Sequence, residues 1–255
     1  MNMSTEIIDA YAHCGLSKYR PIEEVRQIMA RFGVARAVLV QHMGEYDNSY
    51  IGAIVKAEPE EFVGVMLVDT EGEAVESQMD HWIERYPFRG IRLIAHTLDT
   101  HRQIWESAVR RGLNIIVYED MGITPYAGEL ARFAGEHANS RLVISHLSVL
   151  RGVHAADLAS YDSIRQLADE PNVYVQVSGM HMFAEPPYRS IVPLIERLVD
   201  SIGPERMLYG SNFPVMGLDA VYGLELDLLC DGRLGVPVDA VRQVAGQTAR
   251  SLWFN

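Results

Sequence analysis

Residues 173–212 read VYVQVSGMHMFAEPPYRSIVPLIERLVDSIGPERMLYGSN and hold a strand, a helix and a second strand in order. Val173–Val177 is a short β-rich run. Ile191, Leu194, Ile195, Leu198 and Val199 then recur at three- and four-residue steps, which gathers them on one face of a helix. Gly203-Pro204 stops that helix, and Met207–Tyr209 begins the next apolar run. Strand, crossover helix and strand form the unit from which right-handed parallel sheets are built.

The same alternation extends outward to both ends of the chain. Further strands are read at Ile7–Ala10, Ala35–Val40, Phe62–Val68, Gly90–Ile94, Leu113–Tyr118 and Arg141–Ser145. Ile115–Val117 and Leu142–Ile144 are unbroken apolar triplets, as parallel strands covered on both faces require. Helical spacing recurs at Ile22, Val25, Ile28, Met29 and Phe32, after Pro21 at the first helical position. It recurs again at Val75, Met79, Trp82 and Ile83, and at Ile104, Ala108 and Val109. Eight such strands in 255 residues fit an α/β fold, a single closed (β/α)8 TIM barrel, for which about 250 residues is typical. The competing open, doubly wound sheet needs a Gly-rich turn after the first strand, where this chain has AYAHCGLSKYR. No Ser/Gly-rich linker divides the sequence, so residues 1–255 read as one domain.

Composition narrows the function. Thirty-four acidic against 22 basic side chains leave a formal charge of −12, which argues against binding nucleic-acid phosphates. A local Arg or His pocket can still hold a small anion. Apolar residues at 48% and charged residues at 22% exclude a disordered chain. Only Cys14 and Cys230 occur, too few for a disulfide framework or a thiolate metal cluster. The start, MNMSTEIIDAYAH, lacks the marks of a signal peptide, and no apolar run approaches the roughly 20 residues of a spanning helix. The expectation is a cytoplasmic protein without nucleic-acid or membrane partners; outer helices leave room for a homodimer, although no heptad reports one.

In a barrel, chemistry gathers at the C-terminal strand ends. The first strand, IIDAYAHCG, brings Tyr11 and His13, two apart and on one side if the strand continues. GIRLIAH brings Arg92 and His96, IIVYED brings Tyr118, Glu119 and Asp120, and RLVISHLS brings His146. VSGMHMF brings Ser178 and His181, and LYGSNFP brings Ser211 and Asn212. Each residue also has a plainer reading. A lone His after a strand is often a hydrogen-bonded structural residue, Tyr118 fills a barrel layer, and Arg92 pairs with a buried carboxylate. At least one of Glu119 and Asp120 is a solvated loop residue. Polar groups at five or six strand ends of one barrel favour a common pocket. Cys14 points away from His13 and is a weak nucleophile candidate. Met180, Met182 and Phe183 are candidates for an apolar cap, and Arg189 for a second anion contact.

The segments IIDAYAHCG, GVARAVLVQ, DNSYIGAIVKAEPEEFVGVMLVD, FRGIRL, RLVISHL and ERMLYGSNFP resemble the amidohydrolase superfamily, in its amidohydrolase-2 branch of lactonases, decarboxylases and hydratases. The resemblance spans nearly the whole chain and implies the same barrel. Metal-using members carry His-x-His on strand one, His on strands five and six, and Asp on strand eight. Here those positions hold Tyr11, His13, Tyr118, His146 and Asn212, so two of the five ligands remain. Catalytic zinc usually takes three protein ligands, and an amide cannot serve as a proton carrier. The expectation is therefore no cofactor; a divalent metal such as Zn would need Glu119 as its third ligand.

The resemblance implies a hydrolase of the lactonase kind, acting on a small anionic or carbonyl substrate. The expected catalytic set is Tyr11, His13, Tyr118, Glu119, His146 and Asn212. Within it Tyr11, His13 and His146 donate hydrogen bonds to the carbonyl oxygen, and Glu119 or a histidine activates water. Arg92, His96, Ser178 and His181 form the expected substrate-binding set, with Arg92 on a carboxylate. Two alternatives stay open: a decarboxylase, cyclase, dehydratase or isomerase on the same barrel, and a catalytically dead binding barrel.

Overall fold

The computed structural model describes residues 6–148, 165–215, 217 and 219–255. Eight strands follow in order: β1 (Ile7–Ala12), β2 (Val34–Val40), β3 (Phe62–Met66), β4 (Gly90–Ile94), β5 (Asn114–Tyr118), β6 (Leu142–Ile144), β7 (Val173–Ser178) and β8 (Met207–Gly210). Each pairs in parallel with the next. The seam between β8 and β1 is closed by a parallel bridge between Ala12 and Phe213. Two backbone bonds reinforce it: Asn212 N–H donates to Tyr11 O (2.8 Å), and His13 N–H donates to Phe213 O (2.8 Å). The expected (β/α)8 TIM barrel is the fold.

Helices intervene as the spacing required. They include α1 (Ile22–Phe32), α2 (Ser49–Ala57), α3 (Val75–Arg85), α4 (Thr97–Thr100), α5 (Arg102–Arg110) and α6 (Ala127–Glu136). They continue with α7 (Arg165–Ala168), α8 (Val192–Ile202), α9 (Asp219–Cys230) and α10 (Thr248–Trp253). Pro21 is the residue before α1, in extended geometry (ψ 161), rather than its first helical residue. Among the described residues no helix is long and apolar enough to cross a membrane.

Strand alternation sorts the core into two layers. Ile8, Ala10, Val38, Val40, Val63, Val65, Ile116, Val143 and Leu208 form the cluster inside the barrel. Ala37, Leu39, Ile91, Leu93, Ile115, Val117, Val175 and Val177 face the helices. Trp253 of α10 plugs the barrel floor, and a Cβ on Gly90 would stand 2.9 Å from its ring. The same parity turns Arg92, Tyr118, Gln176 and Ser178 inward.

Parity alone would place Asp9, Tyr11 and His13 on one side of β1. The β1–β2 register instead moves from Asp9↔Ala37 to Ala12↔Leu39, three residues against two. This bulge leaves Asp9 facing the helices and swings Tyr11 and His13 into the barrel mouth. Several strand ends differ from the sequence reading, most by one residue and those of β1 and β3 by two. β1 runs two residues further, to Ala12. β3 stops at Met66 because the Asn48 side chain takes both backbone groups of Leu67, at 3.0 and 2.8 Å.

Candidate active site

Rings dominate the barrel mouth. Tyr11 lies edge-on to His13 (5.1 Å between centroids) and to His146 (4.5 Å), and Tyr118 lies edge-on to His146 (6.1 Å). Arg92 lays its guanidinium over Tyr118 at 4.4 Å and stands 5.9 Å from the Tyr11 ring. Tyr11, His13, Arg92, His146, Ser178 and Asn212 are all buried. The structure thus brings together residues from six of the eight strand ends.

The donors and acceptors follow from the hydrogen bonds. His13 Nδ1 lies 2.6 Å from Val40 O, a carbonyl that can only accept, so Nδ1 carries the proton. Burial and the charge of Arg92 push the His13 pKa down to about 3, so its other nitrogen is an acceptor. The expected role of His13 as a donor to a substrate carbonyl does not fit this arrangement. Asn212 is the side chain on its other side. Burial first, and then Arg92, also hold His146 well below the usual imidazole range. Ser178 Oγ accepts the His146 backbone N–H (3.1 Å) and lies 3.0 Å from His146 Nδ1. The fully buried Ser178 hydroxyl finds its acceptor in Nδ1, which leaves His146 Nε2–H as a donor toward the pocket. Ser178 is therefore a positioning residue under His146 rather than a substrate contact.

Two buried donors of this ring cluster have no partner among the described residues. Tyr11 Oη bonds to none of the described residues, and burial pushes its pKa up to about 12, so it remains a phenol. Arg92 Nε is likewise unpartnered, and its Nη1 makes only a long bond to Gln41 O (3.5 Å). Among the described residues no carboxylate pairs with Arg92, against the plainer sequence reading. A buried guanidinium without a counter-ion is costly unless something anionic arrives.

Other expected residues lie apart from this cluster. Glu119 is buried, but its Oε2 accepts the His96 backbone N–H (3.1 Å) and sits 2.9 Å from His96 Nδ1. The carboxylate is committed to its neighbour at the rim, so the expected third metal ligand and water activator is engaged elsewhere. His96 is half exposed and holds Glu119. Tyr118 is different: its ring stays in the cluster against Arg92 and His146, while its hydroxyl donates outward to exposed Asp120 (3.1 Å). Cys14 is buried and its thiol pushed up to about 12, which disarms it as a nucleophile. Met180 is core, Met182 Sδ receives Asn212 Nδ2 (3.9 Å), and Arg189 is exposed.

Sequence reasoning passed over Tyr19, His42 and Asp9. Tyr19 stacks on His13 (4.8 Å) and meets His42 edge-on (5.0 Å), extending the aromatic wall. Both lie in loops, where no periodicity marks them. Asp9 rivets the barrel seam from outside. Its carboxylate accepts Tyr11 N–H (3.2 Å), Ser211 N–H (2.8 Å), Ser211 Oγ–H (2.5 Å) and Tyr222 Oη–H (3.0 Å). Ser211 is thereby structural, and its bonds fix Asn212 in left-handed geometry (φ 57).

The donor set does not fit a three-ligand zinc site. Of the five ligand positions of metal-using members, two hold imidazoles (His13 and His146), the strand-one phenol stays protonated, and strand eight supplies an amide. Among the described residues no three His, Cys, Asp or Glu side chains converge on one point.

Comparison with known proteins agrees with this architecture. The chain is 25% identical over 211 residues to L-fucono-1,5-lactonase of Burkholderia ambifaria, covering 79% of this chain and 72% of that protein. A Burkholderia multivorans amidohydrolase solved with bound zinc superposes with a TM-score of 0.76 at 17% identity, covering 97% of this chain and 98% of that one. A Pseudomonas putida protein named for 2-pyrone-4,6-dicarboxylic acid hydrolysis superposes at 0.75 with 19% identity, over 98% of each chain. The amidohydrolase family profile matches residues 11–254. The chain belongs to the amidohydrolase family.

Proposed function

We propose that this protein hydrolyses a small carboxylated lactone without a resident metal. The observation that carries this reading is Arg92, buried and without a carboxylate partner among the described residues, beside two donors, Tyr11 Oη and His146 Nε2–H. Arg92 takes the substrate carboxylate in its planar fork. The phenol and the imidazole N–H then face the lactone carbonyl and stabilise the oxyanion that forms when water adds. Donors fixed in place like these are worth about 3–4 kcal/mol each to the transition state. His13, held by Val40 on one side and Asn212 on the other and backed by Tyr19, fixes the wall of the site against which the substrate sits. The names of the fuconolactonase and pyrone-dicarboxylate relatives support a lactone ring as the reacting group. Two free thiols, Cys14 and Cys230, support a reducing compartment, the cytoplasm.

The test is product analysis after reaction in ¹⁸O-water with a panel of lactones, including L-fucono-1,5-lactone and 2-pyrone-4,6-dicarboxylate. Hydrolysis places one solvent oxygen in the new carboxylate. Turnover without solvent oxygen would replace this reading by the lyase or isomerase one.

A further inference from the structure

The proposed hydrolysis needs a group that takes a proton from water, and strand eight, with Asn212, does not supply one. Four of the expected proton carriers are engaged or disfavoured. His13 carries its proton on the nitrogen bonded to Val40 O, and its charged form is opposed by Arg92. His146 is bound to Ser178 and meets the same opposition. Glu119 and His96 hold each other at the rim.

His181 differs from all of these. Both of its ring nitrogens are buried and neither has a hydrogen-bond partner among the described residues. One of them must carry a proton and the other a lone pair, and buried groups of either kind are rarely left unpaired. The residue sits in the single turn Met180–Met182 that follows β7. That turn is fixed over the site from two sides. Gly179, at φ 63, lies so close to His146 that a Cβ there would stand 2.7 Å from His146 Nδ1. Met182 Sδ meets Asn212 Nδ2 at the strand-eight end. The turn therefore bridges the ends of β6 and β8, next to the position from which an acidic residue is absent. His181 is close enough for its charge to bear on His146, and burial lowers its own pKa, which keeps the ring neutral with one lone pair free to accept a proton.

We infer that His181 is the general base for water in this barrel, a catalytic residue supplied by the β7 turn in place of the strand-eight acid. This rests on the lactonase reading above. The unprotonated nitrogen of His181 accepts a proton from water as the water oxygen bonds to the lactone carbonyl carbon. The carbonyl electron pair moves to the oxygen faced by Tyr11 and His146. Collapse of that intermediate breaks the ring C–O bond, and the imidazolium returns its proton to the departing alkoxide. The product is one hydroxy acid, containing the lactone and one water.

The test compares wild type, His181→Ala and His181→Gln on whichever lactone of the panel the wild type opens, with and without added imidazole. We expect both variants to lose about 10²–10⁴-fold in kcat. Imidazole should restore at least tenfold to His181→Ala, whose cavity admits it, and nothing to His181→Gln, which keeps the space filled. Circular dichroism spectra matching the wild type exclude misfolding, and His181→Gln serves if the alanine variant does not fold. Wild-type activity with either variant within threefold of it would overturn the assignment, as would a loss in His181→Ala that imidazole leaves unchanged. A wild type that opens none of the lactones would overturn the lactonase reading itself, and this assignment with it.

Discussion

Replacing Glu225 by Gln should flatten the alkaline loss of stability in this protein. Glu225 of α9 is fully buried; it accepts Tyr188 Oη–H at 2.8 Å and lies 3.5 Å from Tyr209 Oη. Burial pushes its pKa from 4.5 up to about 8, with the nearby Asp9 carboxylate adding to the rise. Asp9 is pushed up by burial too, but four donors hold its charge, so Glu225 is the one that keeps the proton. A folded-state pKa above the unfolded value means that folding favours the protonated form. The resulting stability is fully present below about pH 4.5 and is lost as pH rises through about 8. At 1.36 kcal/mol per pH unit, the span from 4.5 to about 8 amounts to about 5 kcal/mol. Water entry and side-chain relaxation around the ionised form bring the expected effect to about 2–5 kcal/mol. Gln keeps the shape and an acceptor oxygen for Tyr188 but cannot ionise. Thermal melts should therefore agree within about 2 °C at pH 5, while at pH 9 the variant melts about 5–15 °C higher, at about 2–4 °C per kcal/mol for a chain of this size. Parallel wild-type and variant curves from pH 5 to 9 would refute the reasoning.

Three further outcomes follow from the same geometry. Arg92→Met should lower kcat/KM on a carboxylated lactone at least about 100-fold yet leave the melting temperature unchanged or higher, because an unpaired buried charge has been removed; a drop of several degrees would reveal a structural ion pair. Tyr11→Phe removes a hydroxyl that bonds to none of the described residues, so kcat should fall about 10²-fold with no loss of stability, read by steady-state kinetics and thermal melts together. Iodoacetamide at pH 8 should label exposed Cys230 on the native protein and spare Cys14, checked by peptide mass spectrometry, since Cys14 is buried with a thiol pushed up to about 12.

The barrel was legible because its signals are local and repeated. Ile115–Val117 and Leu142–Ile144 announce covered strands, and the Ile191–Val199 spacing announces a helix, whatever the rest of the chain does. Strand-end logic likewise located Tyr11, His13, Arg92, His146 and Asn212, which the structure brings to one mouth. The commitments of those groups were not legible. That His13 spends a nitrogen on Val40 O, 27 residues away, and that Glu119 turns to His96 are tertiary facts without a sequence period. The bulge in β1 is another. Nothing in IIDAYAH says that Asp9 leaves the barrel while Tyr11 and His13 enter it, although the bonds from Asp9 to Ser211 and Tyr222, more than 200 residues away, depend on it. Tyr19 and His42 were missed because loop residues join a site through their neighbours in space.

Metal dependence tests the central claim most directly. The protein should be dialysed against a strong chelator, its metal content measured by elemental mass spectrometry, and lactone opening assayed before and after. The account predicts less than about a tenth of an equivalent of divalent metal per chain and a rate unchanged by stripping. A rate that falls with metal removal and returns with added Zn²⁺ would contradict it.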